Sequence, residues 1–180
     1  MPNKGQLLIA EMALTGDFSF SRSVIFLTEH NLEGTVGFIL NKKLNLQLSD
    51  LLPDIKDDFP VFKGGPVDQD NLYYIHKVPD LLPGSIPITK EIYWGGDFEL
   101  LYEGLKNGTI PLDKIKFFLG YSGWMPYQLE SEIDGNSWIV GENEFDIFKK
   151  EFSSIWQDEL KKMGGDYLIW ANSPENPSYN

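Results

Sequence analysis

A glycine-rich stretch between a strand pattern and a helix pattern places the strongest constraint on how this chain folds. Residues 115–119 form a short apolar run that is typical of a buried strand. Residues 120–123 (Gly-Tyr-Ser-Gly) follow, and their two glycines favour a tight turn. Pro126 suits the first turn of a helix, which Leu129 and Ile133 continue at i, i+4 spacing and a glycine at 135 can end. The sequence therefore predicts a strand–turn–helix junction with aromatic side chains held close to bare backbone.

The rest of the chain shows strand patterns in adjacent groups, with helix patterns inserted irregularly. Asn31 and Gly34 supply turn chemistry for a hairpin, and Asp97 can cap a helix. The predicted strands are residues 7–10, 24–28, 35–40, 72–78 and 138–140; the predicted helices are residues 46–52, 98–105 and 144–163, the last being one long amphipathic helix or two in series. Because strands and helices do not alternate strictly, the pattern predicts the α+β class. We expect one domain over residues 1–171 and a mobile C-terminal tail over residues 172–180.

Charge and composition narrow the partners of the protein. The chain has 180 residues, of which 42% are hydrophobic, which is enough for one well-buried core. Its formal net charge is −12, and Arg22 is the only arginine. A polyanion would be repelled overall, and the residue type that most often reads guanine is nearly absent. Direct nucleic-acid binding is therefore disfavoured.

The chain contains no cysteine, which removes disulfides, thiol nucleophiles and thiolate metal sites together. Its N-terminus is a poor secretory signal, and no window approaches the length of a membrane span. We therefore expect a cytoplasmic protein without a membrane segment. His30 and His76 have no fixed metal-ligand spacing, so the expectation is no metal and no cofactor, with each histidine satisfying a local hydrogen bond.

Two motifs invite a functional interpretation beside a structural one. Ser122 lies where a nucleophile elbow would place its serine, but the last glycine of that motif is replaced by Trp124. The structural alternative is that Ser122 fills a small gap in a turn, and no catalytic residue is assigned. Gly64, Gly65 and Pro66 could present backbone N–H groups to an anion, although a turn with positive φ angles explains them better.

Charged and aromatic side chains near the junction leave further alternatives open. Arg22 suggests a specific carboxylate partner, for which Glu130 and Glu132 are the candidates. Carboxylates on the predicted helix could do acid–base work, or they could form a solvated face. The aromatic residues of the junction, which are Tyr121, Trp124, Tyr127 and Trp138, are consistent both with a core and with a contact surface.

Four segments, taken together and in this order, resemble the YqgE/AlgH family of bacterial proteins. They are residues 5–10, residues 20–25 continuing through Glu29-His30 and residues 34–41, residues 64–67 with His76 downstream, and residues 120–124 with residues 128–130 and Trp138. The resemblance implies an α+β fold in which a bifurcated, mostly antiparallel sheet curls into a pseudo-barrel with helices packed outside. Members are often labelled transcriptional regulators, and that label comes from the AlgH branch.

The resemblance also supplies the candidate binding surface. The positions that match the family motifs, together with Ser122, are Arg22, His30, Asn41, Gly64, Gly65, Pro66, His76, Tyr121, Gly123, Trp124, Gln128 and Glu130. Because they lack a complete catalytic set, the first hypothesis is a non-enzymatic binding or regulatory protein that acts through protein contacts. The alternatives are a small-ligand binder or hydrolase-like enzyme at residues 120–124, and a regulator that contacts DNA directly, which the net charge opposes.

Overall fold

The structure is a computed structural model, and it describes residues 1–14, 16–148 and 152–175. Its strands are β1 (Leu7–Ala10), β2 (Val24–Asn31), β3 (Gly34–Ile39), β4 (Lys43–Gln47), β5 (Pro60–Lys63), β6 (Val67–His76), β7 (Ile86–Pro87), β8 (Tyr93–Trp94), β9 (Ile115–Trp124) and β10 (Trp138–Gly141). Its α-helices are α1 (Leu48–Leu51), α2 (Phe98–Lys106), α3 (Gln128–Asp134), α4 (Ile155–Met163) and α5 (Tyr167–Ala171). The predicted α+β class is confirmed. No helix in the described ranges is both long enough and apolar enough to cross a membrane.

The sheet divides at β9. The main path runs β10-β1-β2-β3-β9-β6-β8-β7, and every pairing along it is antiparallel. A side branch leaves this path where β5 pairs with β9 in parallel and β4 pairs with β5. The path does not close on itself among the described strands, so the pseudo-barrel stays a prediction.

The junction around residue 120 differs from the sequence prediction. The strand does not stop at residue 119: β9 continues to Trp124, and its last three residues pair with β3 from Gly37 to Thr35. Gly120 has φ +71°, so the glycine bends the strand without ending it. The turn lies instead at residues 125–127, where Tyr127 adopts a left-handed φ of 64° before α3 begins.

A close backbone approach fixes the division of the sheet. A Cβ atom on Gly64 would lie 2.2 Å from the carbonyl oxygen of Gly120, and one on Gly65 would lie 2.2 Å from that of Tyr121. Neither Gly64 nor Gly65 has a positive φ, so the predicted reason for these glycines is wrong. They are required because two main chains touch, and any side chain would force them apart.

Three buried clusters surround the sheet. Alternate residues of β1 and β2 point to opposite faces. Leu7, Ile9, Val24 and Phe26 pack with Trp156 of α4, whereas the residues between them pack with Trp124, Trp138 and Leu129 of α3. The third cluster lies under α2 and α1. The β2–β3 hairpin and the Asp97 cap, whose side chain accepts from the Leu100 N–H at 3.0 Å, are both confirmed.

Two predicted helices are shorter than their sequence patterns. Residues 144–163 do not form one helix: α4 covers only Ile155–Met163, and residues 149–151 lie outside the described residues. Phe145 and Phe148 reach the core from an irregular segment. Likewise, the residues before Leu48 form β4, which leaves α1 with four residues. In both places the spacing of apolar residues is typical of a helix. The same residues nevertheless reach the core from a strand or from irregular backbone, so the spacing alone does not identify a helix.

The close approach at Gly65 predicts a severe effect of one methyl group. We expect Gly65→Ala to lower the free energy of unfolding by about 3 kcal/mol or more, because the clashing atoms belong to backbone that cannot move aside. Urea unfolding followed by tryptophan fluorescence measures this loss. Gly16→Ala is the matched control, since a Cβ atom there meets nothing within 4 Å. A Gly65→Ala protein as stable as the control would contradict the proposed role of the contact.

Candidate functional site

The structure sorts the predicted site residues into four places. His30, Tyr121, Gly123, Trp124, Gln128 and Glu130 gather where the tip of the β2–β3 hairpin meets the end of β9. Gly64, Gly65, Pro66 and Ser122 lie at or next to the crossing of backbones described above. Arg22 and Asn41 lie together at the start of β2 and just after β3. His76 ends β6, in contact with Gly95 and Ser85. The first two groups touch, because a Cβ atom on Gly65 would lie 2.2 Å from the Tyr121 carbonyl oxygen, whereas Arg22 contacts Trp156 in a different buried cluster from Trp124.

A carboxylate organises the aromatic residues of the first group. Glu132 accepts a hydrogen bond from the indole N–H of Trp124 and another from that of Trp138, each at 2.9 Å and both on its Oε2 atom. Gln128 donates to the other oxygen at 2.9 Å. Both indoles are nearly buried, at 5% and 3% exposure. Glu132 therefore acts as a structural acceptor with its oxygens occupied, which argues against acid–base work.

Glu132 is a residue that the sequence analysis missed as part of the site. The available signal was its i, i+4 spacing from Gln128 on a helix that follows one tryptophan and precedes another. Gln128 completes the link, because its side-chain oxygen accepts from the Met125 N–H at 2.9 Å. The network thus ties the turn after β9 to α3 and β10.

The turns beside this network expose apolar side chains. Leu32 at the hairpin tip is 83% exposed, and Met125 and Tyr127 in the turn after β9 are each 73% exposed. The two turns touch, since a Cβ atom on Gly34 would lie 2.5 Å from the Trp124 carbonyl oxygen. We call Leu32, Met125 and Tyr127 the corner surface. A cavity of about 400 Å³ lies on one side of it, and one of about 260 Å³ lies on the other.

His30 and Glu130 line the smaller cavity. The Nε2 atom of His30 is 3.5 Å from a carboxylate oxygen of Glu130, and its Nδ1 atom is 2.7 Å from the hydroxyl of Thr35. Glu130 is thus placed beside His30 and not beside Arg22. The local hydrogen bond predicted for His30 is present.

The prediction that Glu130 or Glu132 pairs with Arg22 is wrong for both residues. The guanidinium donates to the carbonyl oxygens of Ser173 and Pro174, at 3.1 and 2.7 Å, and to the Ser173 hydroxyl at 3.2 Å. It also stacks on the ring of Trp156 at 4.9 Å. The prediction of a mobile tail over residues 172–180 stays a prediction, and residues 176–180 lie outside the described residues.

Asn41 holds the backbone of Arg22 in an unusual conformation. Arg22 has φ 54°, which is uncommon for a residue with a side chain. The Asn41 amide donates to the Arg22 carbonyl at 2.8 Å and accepts from the Val24 N–H at 2.9 Å. The amide replaces strand pairing at this corner, which is a structural reason for the Arg22 and Asn41 combination.

Neither Ser122 nor Ser85, which lies beside His76, is set up as a nucleophile. Ser122 is fully buried, and its hydroxyl donates to the Gly64 carbonyl at 3.0 Å, so it fills a gap as the structural alternative stated. Ser85 lies 3.0 Å from the Nε2 atom of His76, but the Nδ1 atom of that ring accepts from the Val78 N–H. Because a neutral imidazole carries one proton, Nε2 is the protonated atom and cannot accept a proton from Ser85. Burial also lowers the pKa of His76.

Metal binding has no geometric support in the part of the chain that the structure describes. Within residues 1–14, 16–148 and 152–175, no three His, Cys, Asp or Glu side chains lie close enough together to hold an ion. His76 is fully buried and uses both ring nitrogens, which leaves it no free ligand atom.

The protein is an α+β domain built around the long, bent strand β9. Three features characterise it: the divided sheet, the backbone contact at Gly64 and Gly65, and the hydrogen bonds from two indoles to Glu132. The chain belongs to the AlgH-like family, whose profile matches residues 7–168. It is 44% identical to a UPF0301 protein of Cytophaga hutchinsonii over the whole of both chains. It is 39% identical to a UPF0301 protein of Bacteroides fragilis, covering all of this chain and 92% of that one.

Two solved structures share the fold. The solution structure of the AlgH protein from Pseudomonas aeruginosa gives a TM-score of 0.74 at 24% identity, covering 95% of this chain and 94% of that one. A crystal structure of a protein from Corynebacterium diphtheriae gives 0.71 at 18% identity, covering 96% and 93%. The resemblance noted in the sequence is thus confirmed at the level of family and fold.

The indole network predicts that Glu132 is needed for stability. We expect Glu132→Ala to lower the free energy of unfolding by about 1–3 kcal/mol, because two buried N–H groups lose their acceptor. Chemical unfolding measures this, with Asp134→Ala as the control because Asp134 is exposed on the same helix. Equal stability of the two variants would rule out a structural role for the carboxylate.

The His76 environment predicts a dependence of stability on pH. The folded protein holds the His76 pKa below its ordinary value, so the unfolded chain takes up a proton first as the pH falls. The stabilising contribution is complete above about pH 6.5 and declines below it, toward the lowered folded pKa. Urea unfolding between about pH 7.5 and pH 5.5 should show a steeper loss for wild type than for His76→Gln. Parallel pH profiles for the two proteins would refute this.

Proposed function

We propose that this protein is a non-enzymatic binding protein that acts in regulation through contacts with another protein, and that the corner surface makes the contact. The single observation that carries the proposal is the exposure of Leu32, Met125 and Tyr127 on two touching turns. Exposed apolar side chains on neighbouring turns are typical of interaction sites when a cavity lies beside them.

The corner surface is supported from beneath by rigid structure. Met125 and Tyr127 flank Pro126, and the turn is fixed by the Gln128–Glu132 network on one side and by pairing of Trp124 with Thr35 on the other. Tyr127 keeps its left-handed φ within this frame. A contact surface that is ordered before binding loses less conformational entropy when a partner docks.

The rim of the corner surface sets the chemistry of the partner. Glu29, Glu33 and Glu130 line the two flanking cavities, and no lysine or arginine among the described residues lines either. An acidic rim around apolar side chains favours a partner segment in which an apolar residue is flanked by basic residues. Such a partner would associate faster at low salt, because the net charge of this chain is −12.

The described chemistry supports binding over catalysis. The hydroxyl of Ser122 is bonded to a carbonyl, and the carboxylate of Glu132 is bonded to two indoles. The proton of His76 lies on the nitrogen that faces Ser85. Ser122, Glu132 and His76 are thus each used in holding the fold.

The experiment tests the corner surface by substitution at positions that do not support the fold. Leu32→Ser removes the exposed hairpin side chain, and Tyr127→Asn removes the ring while suiting the left-handed φ. We expect each to weaken binding of a captured partner by about tenfold or more, as at interface hot spots. Affinity capture from a bacterial lysate identifies the partner, and calorimetry with the purified partner measures the change.

Ile169→Ser is the matched control, because Ile169 is 70% exposed and lies on α5, away from the corner surface. Binding that weakens equally in all three variants would indicate general stickiness. Wild-type affinity in both Leu32→Ser and Tyr127→Asn would remove the corner surface from the proposal.

A further inference from the structure

A third cavity, on the other face of the sheet, has two cations in its lining. It has a volume of about 300 Å³ and is lined by Ser21, Arg22, Asn41, Lys42, Ser153, Gln157 and Glu175. Arg22 stacks on Trp156, which belongs to the core face opposite to that of Trp124. We call this the basic cavity. In a chain with one arginine and a net charge of −12, two cationic residues that line one recess call for an explanation.

Arg22 is held in place, and its bonds to the described residues leave some of its donors unused. Its three hydrogen bonds to Ser173 and Pro174 use three of the five N–H groups of a guanidinium. Stacking on Trp156 fixes the plane of the group. A fixed guanidinium with unused N–H groups is suited to binding an oxyanion such as phosphate.

Lys42 adds a second cation that lacks a counter-ion. Among the described residues it makes no ion pair, and it is partly buried. Burial, and secondly the charge of Lys63, lower the pKa of Lys42, while Asp17 opposes this only in part. An anion bound in the basic cavity would relieve the repulsion between the two lysines and replace the lost hydration.

The basic cavity adjoins a larger apolar one. Asn41 and Ser153 line both, and the apolar cavity has a volume of about 560 Å³. Its aromatic lining consists of Phe59, Phe62, Phe148 and Phe152. The ammonium group of Lys116 lies 3.4 Å from the centre of the Phe62 ring and 3.6 Å from that of Phe152. This lining suits a flat, weakly polar ring.

A hydrogen-bond acceptor completes the description of the ligand. The Oε1 atom of Gln157, which lines the basic cavity, is buried and has no partner among the described residues. A buried acceptor without a donor is costly, so a ligand hydroxyl there would be stabilising. Phosphate for the cations, a hydroxyl for Gln157 and a flat ring for the phenylalanines together describe one class of molecule.

We propose that the two adjoining cavities bind a small organic phosphate with the chemistry of a nucleotide. The phosphate lies between Arg22 and Lys42, and the ring enters the apolar cavity past Asn41. Glu175, which also lines the basic cavity, opposes the negative charge of the ligand and weakens its binding. The site is independent of the corner surface and of any protein partner.

Titration calorimetry of the full chain at low salt, with AMP, adenosine and inorganic phosphate as separate probes, tests the site. We expect AMP to bind more tightly than either of the other two, because only AMP reaches both cavities. Lys42→Gln should weaken AMP binding by about tenfold, and Glu175→Gln should strengthen it. Thermal unfolding with AMP provides a second measurement, since a ligand of the folded state raises the Tm.

Lys56→Gln controls for the change in net charge, because Lys56 is exposed and lines neither cavity. Absence of AMP binding, or an equal loss in the Lys42→Gln and Lys56→Gln proteins, would overturn the proposal. Equal affinities for AMP and inorganic phosphate would overturn the role given to the apolar cavity. Tighter binding by Glu175→Gln together with weaker binding by Lys42→Gln would support the site, since loss of folding cannot produce opposite signs.

Discussion

The contact between bare backbones at Gly64-Gly65 and Gly120-Tyr121 is the constraint on which the rest of the structure depends. Because of this contact, β9 pairs with β6 along one edge. Along its other edge, β9 pairs first with β5 and then, after the bend, with β3. The Gly64 carbonyl joins the two parts, because it accepts both from the Ile39 N–H at 2.9 Å and from the Ser122 hydroxyl at 3.0 Å. A larger residue at this crossing would separate the two branches of the sheet. The cavities described above would be disturbed as well, because they are formed by residues of these branches.

Both proposed sites lie where regular pairing stops. The corner surface follows the last residues of β9, and the basic cavity lies beside the residues before β2 and after β3. At each place polar side chains make the hydrogen bonds that hold the backbone. Gln128 and Glu132 do so at the corner surface, and Asn41 does so beside the basic cavity. Turns held by side-chain hydrogen bonds are rigid but remain exposed to solvent. Rigid, exposed turns are better suited to binding a partner or ligand than to catalysis.

The sequence predicts the elements whose signals are local. The hairpin follows from Asn31 and Gly34, and the start of α2 from Asp97, because turn and cap residues act on their immediate neighbours. The bend in β9 could not be predicted, since Gly120 gives the same signal for a turn as for a kinked strand. The partner of Arg22 was equally out of reach, because it lies more than 150 positions away at Pro174 and is a backbone carbonyl.

The sequence analysis named candidate site residues but could not predict which of them lie close together in the fold. The family resemblance collected the residues of the corner with those of the crossing, and only the fold separates His76 and Arg22 from Trp124. The stabilising role of Glu132 depends on two indoles, one from β9 and one from β10, that meet beside α3, and single-sequence spacing does not encode that meeting.

The position of β1 has a consequence for synthesis of the protein. β1 lies between β2 and β10, so during synthesis one of its edges stays unpaired until residues 138–141 have emerged. Its four residues are all fully buried in the finished fold. Between the synthesis of β1 and that of β10 the nascent chain therefore carries an apolar strand with one unpaired edge, and such an edge can pair with another chain.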